Sequence, residues 1–306
     1  MIGIADPEVD SMARSIIASP PVLAASITRM TSGGLESINE ASSTNQLPPQ
    51  LVALLEDAAE DGRKTLSLKC FPNGPLTWLP NSICDLDCLR ELDLRANQLL
   101  SLPSGIGQLS NLRKLLVSSN KLTDLPTSLG RLRNLTELDF SANKIEEVPV
   151  SIGLCTKLVT VRAEFNYLKA LPEDMGNLVA LQTLTVHLNH LKRIPRTIGS
   201  LVSLTFLDVH YNQIEHVPDG ICRLTSLTHL NLAAQHFSLQ EIPFAIGNLD
   251  QLVELDLSEN HLKHIPESIV HLTRLKKLRL DGNPLQIPPR QVAAKGKDVS
   301  RSRPSP

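Results

Sequence analysis

From Leu89 onward, one order of apolar and polar positions recurs along the chain: LRELDLRANQLLSLPSGIGQLSN, then LRKLLVSSNKLTDLPTSLGRLRN, then LTELDFSANKIEEVPVSIGLCTK. Asparagine keeps the beat, at Asn97, Asn120, Asn143, Asn166, Asn189 and Asn212, each 23 residues after the last. Gln235 holds the same place, and Asn260 and Asn283 close the series after one 25-residue unit. An irregular first unit, marked by Leu68, Asn73, Leu79 and Pro80, brings the total to about ten units over roughly 65–290.

Each unit mixes two periods. Between Thr205 and His210, Leu207 and Val209 alternate with Phe206, Asp208 and His210, which predicts a strand with one buried face. Leu204, Ile214, Val217, Ile221 and Leu224 complete a set aimed at one axis. A lone unit cannot bury that set, whereas stacked units can. The asparagine falls where the chain leaves the strand, and there its amide can bond backbone groups of adjacent turns. Pro103, Pro126, Pro149, Pro172, Pro195, Pro218, Pro243 and Pro266 are expected at the first position of a short helical turn. The pattern LxxLxLxxNxLxxLPxxIGxLxx resembles the leucine-rich repeat, so the expected fold class is an α/β solenoid with a parallel concave sheet and short helical or 3-10 turns outside.

Geometry follows from that. Strands stack about 4.8 Å apart while helical turns need about 8–10 Å, so the stack must bend with the sheet inside. Ten strands give a face roughly 45–50 Å long and ~15 Å wide, an area near the ~800 Å² that one partner offers in a standard interface. Residues 47–64 place Leu51, Leu54, Leu55 and Ala58 at helical spacing, which predicts an amphipathic cap on the first unit. Residues 1–46, with eleven Ser or Thr, and the basic stretch 291–306 read as tails.

Composition narrows the function. Hydrophobic residues make up 42% of the 306 positions but aromatic ones only 3%, so the core must be Leu, Ile and Val. Thirty Lys and Arg against 32 Asp and Glu leave a net charge of -2, which argues against a phosphate-gripping or membrane-surface protein. Five cysteines is an odd number in a chain too long to need staples, so a reducing compartment is expected. Asp6, Glu8 and Asp10 stand where a secretory or transit signal would be basic or apolar, and the early apolar stretch Ser15–Ile27 is broken by Pro20 and Pro21. The expected setting is intracellular, in the cytoplasm or nucleus.

Catalytic motifs are missing: there is no phosphate loop GxxxxGKS/T, no HExxH helix and no GxSxG elbow. Cys84 and Cys222 occupy the place of the Gly in IGxL, where a small residue is expected to suffice, and Cys70 reads as a core thiol on an inward strand position. Cys84 with Cys88 as a bridged cap, and Asn134 as a glycosylation site, are the weaker readings of ordinary repeat sequence. His187 and His210 share a position in successive units. Two imidazoles could hold a metal, but a third ligand beyond Asp208 or Glu164 is not evident, so neither metal nor cofactor is expected.

The candidate binding surface comes from aligning columns. Ala142, Phe165, Leu188, Tyr211 and Ala234 fall side by side before the beat residue. Beside them run Ser141, Glu164, His187, His210 and Ala233, then Asp139, Arg162, Thr185, Asp208 and Asn231. Phe165, Leu188 and Tyr211 meet on consecutive strands with Phe206 nearby, and Asp139, Arg162, Glu164, Asp208 and Asp256 form a charged rim. A large apolar cluster ringed by charge is the composition of an interface hot spot.

The 23-residue LPxxIGxL unit resembles that of the Ras-group leucine-rich repeats, within which the plant intracellular proteins are most alike. The stretches SIGLCTKLVTVRAEFNYL (151–168), LTHLNLAAQHFSLQEIPFAIGNL (227–249) with its two-residue insertion, and LDGNPLQIPP (280–289) carry the likeness, which spans about 47–295. It implies a cytosolic or nuclear interaction protein in signal transduction. The family's usual tryptophan-containing tail motif has no counterpart, because no Trp follows Trp78. The reading is a non-enzymatic adaptor gripping a protein partner, such as a small GTPase or a phosphatase or kinase assembly; an extracellular receptor-type module is the alternative.

Overall fold

In the computed structural model, residues 48–72, 74–236 and 239–286 are described, all within the second of two units, Leu47–Pro306. The segments 1–46 and 291–306, read above as tails, lie outside the described residues. Helix α1 (Pro49–Glu60) starts with Pro at its first position, where no N–H is needed, and buries Leu51, Leu55 and Ala58 on one face. Ten three-residue strands follow: β1 (Thr65–Ser67), β2 (Glu91–Asp93), β3 (Lys114–Leu116), β4 (Glu137–Asp139), β5 (Thr160–Arg162), β6 (Thr183–Thr185), β7 (Phe206–Asp208), β8 (His229–Asn231), β9 (Glu254–Asp256) and β10 (Lys277–Arg279).

All ten pair in parallel and in chain order, forming one curved, unclosed sheet. Register is uniform: Leu184 sits beside Leu207, Leu207 beside Leu230, and so on through every central strand residue. Those central residues are buried, while their neighbours face the open side. A single apolar core runs from Leu51 to Leu280. Phe140, the one fully buried aromatic ring among the described residues, follows β4 directly, and the small Ala163 holds the corresponding place after β5. No helix among the described residues is long and apolar enough to cross a membrane.

The beat residues form a buried ladder. The Asn166 Oδ1 accepts the Ile145 N–H at 3.0 Å, and its Nδ2 donates to the Phe140 and Ala163 carbonyls at 3.0 and 3.1 Å. Asn97, Asn120, Asn143, Asn189 and Asn212 repeat this arrangement. Gln235 does the same with a longer arm, reaching Val209 O at 2.9 Å and receiving the Ile214 N–H at 3.1 Å. Each amide thus satisfies backbone groups that would otherwise cost about 1–3 kcal/mol apiece when buried.

Three expectations change. The prolines do not open the 3-10 turns from within but cap them, with ψ near 140° at Pro126, Pro149 and Pro172. An extended cap lets the proline carbonyl accept the first N–H of the turn, as Pro149 does from Ile152 at 3.0 Å. Pro103 differs, because its turn begins after Gly105, although its carbonyl still receives the Ile106 N–H. The first unit is also offset by 26 residues rather than 23, since Thr65 pairs with Glu91. That offset puts Phe71, buried at 5% exposure, where Asn97 stands in the next unit, while Asn73 lies outside the described residues. It also moves Cys70 out of the core: the residue is exposed and left-handed, with φ 47°.

The turn glycines are required by close approach. A Cβ on Gly153 would sit 2.5 Å from the Asp174 carbonyl oxygen of the next unit, and one on Gly107 only 2.1 Å from that of Ser128. Cys84 is tolerated in the same column because Gly105 lies against it, leaving space for the thiol. Burial raises the thiols of Cys84, Cys155 and Cys222 to about 11, which makes them poor nucleophiles, and all five cysteines are free.

Candidate functional site on the open face of the sheet

The chain leaves every strand through a left-handed residue just before the ladder position. That residue is Ala96, Ser119, Ala142, Phe165, Leu188, Tyr211, Ala234 and Glu259 in successive regular units, and only the last unit uses glycine, Gly282. Such a conformation costs a non-glycine residue roughly 1–2 kcal/mol, so the solenoid imposes it at every step. The column therefore presents large side chains in the middle of the sheet and small ones on most other strands. Phe165 and Tyr211 remain 38% and 45% exposed, and Leu188 between them is half-buried.

The neighbouring column turns this into a continuous run of rings. Phe165 meets His187 edge-on with centroids 5.7 Å apart, His187 stacks on His210 at 4.4 Å, and His210 meets Tyr211 at 5.3 Å. Phe206, half-buried on β7, pairs instead with His229 on β8 at 5.6 Å. His229 was not among the residues picked out from the sequence. Its signal is the same column as Phe206, one unit later. A second ring pair, Tyr167 with His190, lies just past the ladder.

The charged residues do not form one rim. Asp139 is buried and accepts the Ser141 backbone N–H and hydroxyl at 3.1 and 2.7 Å. Arg162 is paired with Glu137 at 2.8 Å, and Glu164 accepts the Thr185 hydroxyl at 2.6 Å. Asp256, two strands beyond β7, holds Ser258 and the Arg279 guanidinium. Asp208 is central, lying beneath the histidines: His210 Nδ1 approaches one carboxylate oxygen at 2.6 Å, and His187 Nδ1 stands 3.8 Å from the other. The longer approach is not a hydrogen bond, and His187 Nδ1 is buried without a partner.

Protonation follows from this packing. Burial, and then the adjacent His210, push His187 down to about 4, against a smaller opposing pull from Asp208. His187 is therefore neutral at pH 7. Burial alone would raise the Asp208 carboxyl, but the His210 ring and backbone contacts outweigh it and hold the group below its ordinary value. The middle of the face thus combines exposed rings, one neutral imidazole and one ionised carboxylate.

Three separate models for leucine-rich repeats match the chain. One described as a leucine-rich repeat region covers residues 107–189 and 165–238, and two further repeat models cover 242–285 and 88–109. A solved leucine-rich-repeat protein of Leptospira interrogans is 30% identical, over 72% of this chain and 68% of its own, with a TM-score of 0.50. The chain belongs to the leucine-rich-repeat family. The plant peptide hormone receptor RGFR1, solved in complex with RGF2, is also 30% identical, with a TM-score of 0.60; the match covers 67% of this chain and 34% of the receptor's. The leucine-rich-repeat domain of the type III effector XopL is 25% identical over 78% of this chain and 82% of its own, with a TM-score of 0.61. No curated protein sequence matches the chain. As a leucine-rich-repeat protein, it is a protein-interaction module.

One surface away from the strands went unnoticed in the sequence. A groove of about 1020 Å³ runs across three successive units, lined by Glu215, His216, Glu241, Phe244, Lys263 and His264 among others. Phe244 is 75% exposed at its edge.

Proposed function

We propose that this chain is a non-enzymatic adaptor that grips a protein or peptide partner on the centre of its concave sheet. The observation that carries the reading is the run Phe165–His187–His210–Tyr211, with both end rings exposed on a face whose other charges are largely paired among themselves. Exposed aromatic rings on a rigid scaffold are the anchors that interface hot spots use. The reading extends to an intracellular signalling role of the plant Ras-group type, with a small GTPase or a phosphatase or kinase assembly as partner. The LPxxIGxL units and the free cysteines support it.

Peptide recognition outside the cell is the second reading. It is favoured by the likeness to RGFR1, which was solved with RGF2. Proximity labelling in the native cell separates the two, since one predicts cytosolic neighbours and the other apoplastic or surface ones. Repeating the labelling with Phe165→Ala, His187→Ala and Tyr211→Ala combined tests the site. The neighbours specific to the wild type should disappear while the melting temperature moves by only a few degrees. An unchanged neighbour set would remove this surface as the docking site.

A further inference from the structure

The contacts around Asp208 are not self-consistent as hydrogen bonds. His210 Nδ1 lies 2.6 Å from Asp208 Oδ1, which requires a proton on that nitrogen. The same Nδ1 lies 3.2 Å from the Asn231 Nδ2, which can only donate, because the Asn231 Oδ1 is fixed by the Ala233 N–H. Neither tautomer satisfies both neighbours. A second nitrogen, His187 Nδ1, is buried 3.8 Å from the other carboxylate oxygen with no hydrogen-bond partner. Two imidazole nitrogens and a carboxylate thus converge on one spot, and their donor atoms lie within 4.8 Å of one another. Among the described residues, no other group of three such side chains meets that condition.

We infer that His187, Asp208 and His210 bind one divalent transition-metal ion of the zinc class. Two nitrogen donors and one oxygen donor suit Zn²⁺, with a fourth position left to water or to a group from outside. A tetrahedral site with bonds of ~2.1 Å needs donors about 3.3–3.4 Å apart. The two approaches reach different carboxylate oxygens, His210 one at 2.6 Å and His187 the other at 3.8 Å, so Asp208 must turn to bring a single oxygen within that spacing of both nitrogens. Parallel pairing of β6 with β7 keeps the two histidines within reach of one ion, but their rings, stacked at 4.4 Å and 14°, must tilt for both nitrogen lone pairs to point at it. The ion would replace the proton between His210 and Asp208, and Asn231 would give up its contact with that nitrogen. The ion's fourth position would open from a spot where the His187 Nδ1 is shielded from solvent, beneath the ring run that Phe165 and Tyr211 end. The site itself does not require a partner to be bound there.

Titration of the chelator-stripped, tag-free full chain with Co²⁺ tests this, followed by displacement with Zn²⁺. One equivalent should saturate a visible ligand-field band, and Zn²⁺ should abolish it and raise the melting temperature. His187→Ala and His210→Ala should each weaken binding by more than about tenfold, whereas His216→Ala, in the groove, should leave it unchanged. Absence of a saturable band in the wild type, or equal binding by the doubly substituted His187→Ala, His210→Ala protein, overturns the site. The protein is tested alone, so such a failure leaves the docking reading where it stands, and a failed docking test leaves this one.

Discussion

The flanks and the centre of the concave sheet share one backbone but carry different side chains at the same open positions. On β3–β5, Lys114 and Arg162 both reach Glu137; on β9 and β10, Glu254 pairs with Lys277 and Asp256 with Arg279. Ladder-wise alternation of charge satisfies each flank from within and leaves little for a partner to complete. On β6–β8 the same positions hold Thr183, Thr185, Phe206, His229 and Asn231, with Asp208 the only carboxylate, enclosed by two imidazoles. The repeat supplies stacking everywhere, and the open columns are free to vary because they do not contribute to the core. Function is therefore expected where the columns depart from self-pairing.

If the scaffold is uniform, the ladder should be equally costly to break in both regions. Asn166→Ala at the centre and Asn120→Ala on the flank are each expected to lose about 3 kcal/mol in chemical denaturation, since each strands buried backbone groups. A much cheaper centre would mean that the two regions differ in frame as well as in face. Gly153→Ala should cost about 2–3 kcal/mol by pressing a methyl on the Asp174 carbonyl, whereas an alanine at Gly74 meets no atom and is strained only through its backbone, at φ 110°.

Acid should distinguish the regions next. The folded chain keeps His187 neutral down to about pH 4, while the unfolded chain takes up that proton near 6.5. Between those values the unfolded state binds more protons, so stability should fall as pH drops, by on the order of 1–2 kcal/mol after allowance for partial exposure. His187→Gln should flatten that segment of the pH–stability curve, and Glu137→Gln on the flank should not. The smallest effect belongs to the flank pairs. A double-mutant cycle between Glu254 and Lys277, both about half exposed, should give a coupling of about 0.5 kcal/mol or less, diminishing with salt.

The scaffold was legible because spacing alone encodes it. A beat of 23 residues places every Leu92-type residue inward and every Asn97-type amide in the ladder, and the columns of open residues follow from the same alignment. The first unit is the exception, because its offset depends on strand pairing, which puts Phe71 in the ladder position and Cys70 at the surface. At the candidate site the rings Phe165, His187, His210 and Tyr211 could be placed side by side from the columns. The fate of the carboxylates could not be read. Asp139 turns onto Ser141 and Asp208 under two histidines through side-chain rotations that repeat spacing does not encode.

The most direct test of the central claim compares affinities for a purified partner recovered by labelling. One variant carries Phe165→Ala, His187→Ala and Tyr211→Ala, and the other Lys114→Ala, Glu137→Ala and Lys277→Ala. Loss of at least about a hundredfold in the first, with less than about threefold in the second, is the predicted result, since a few buried anchors dominate binding and paired surface charges contribute little. Equal affinity for both, or the larger loss in the flank variant, would contradict it.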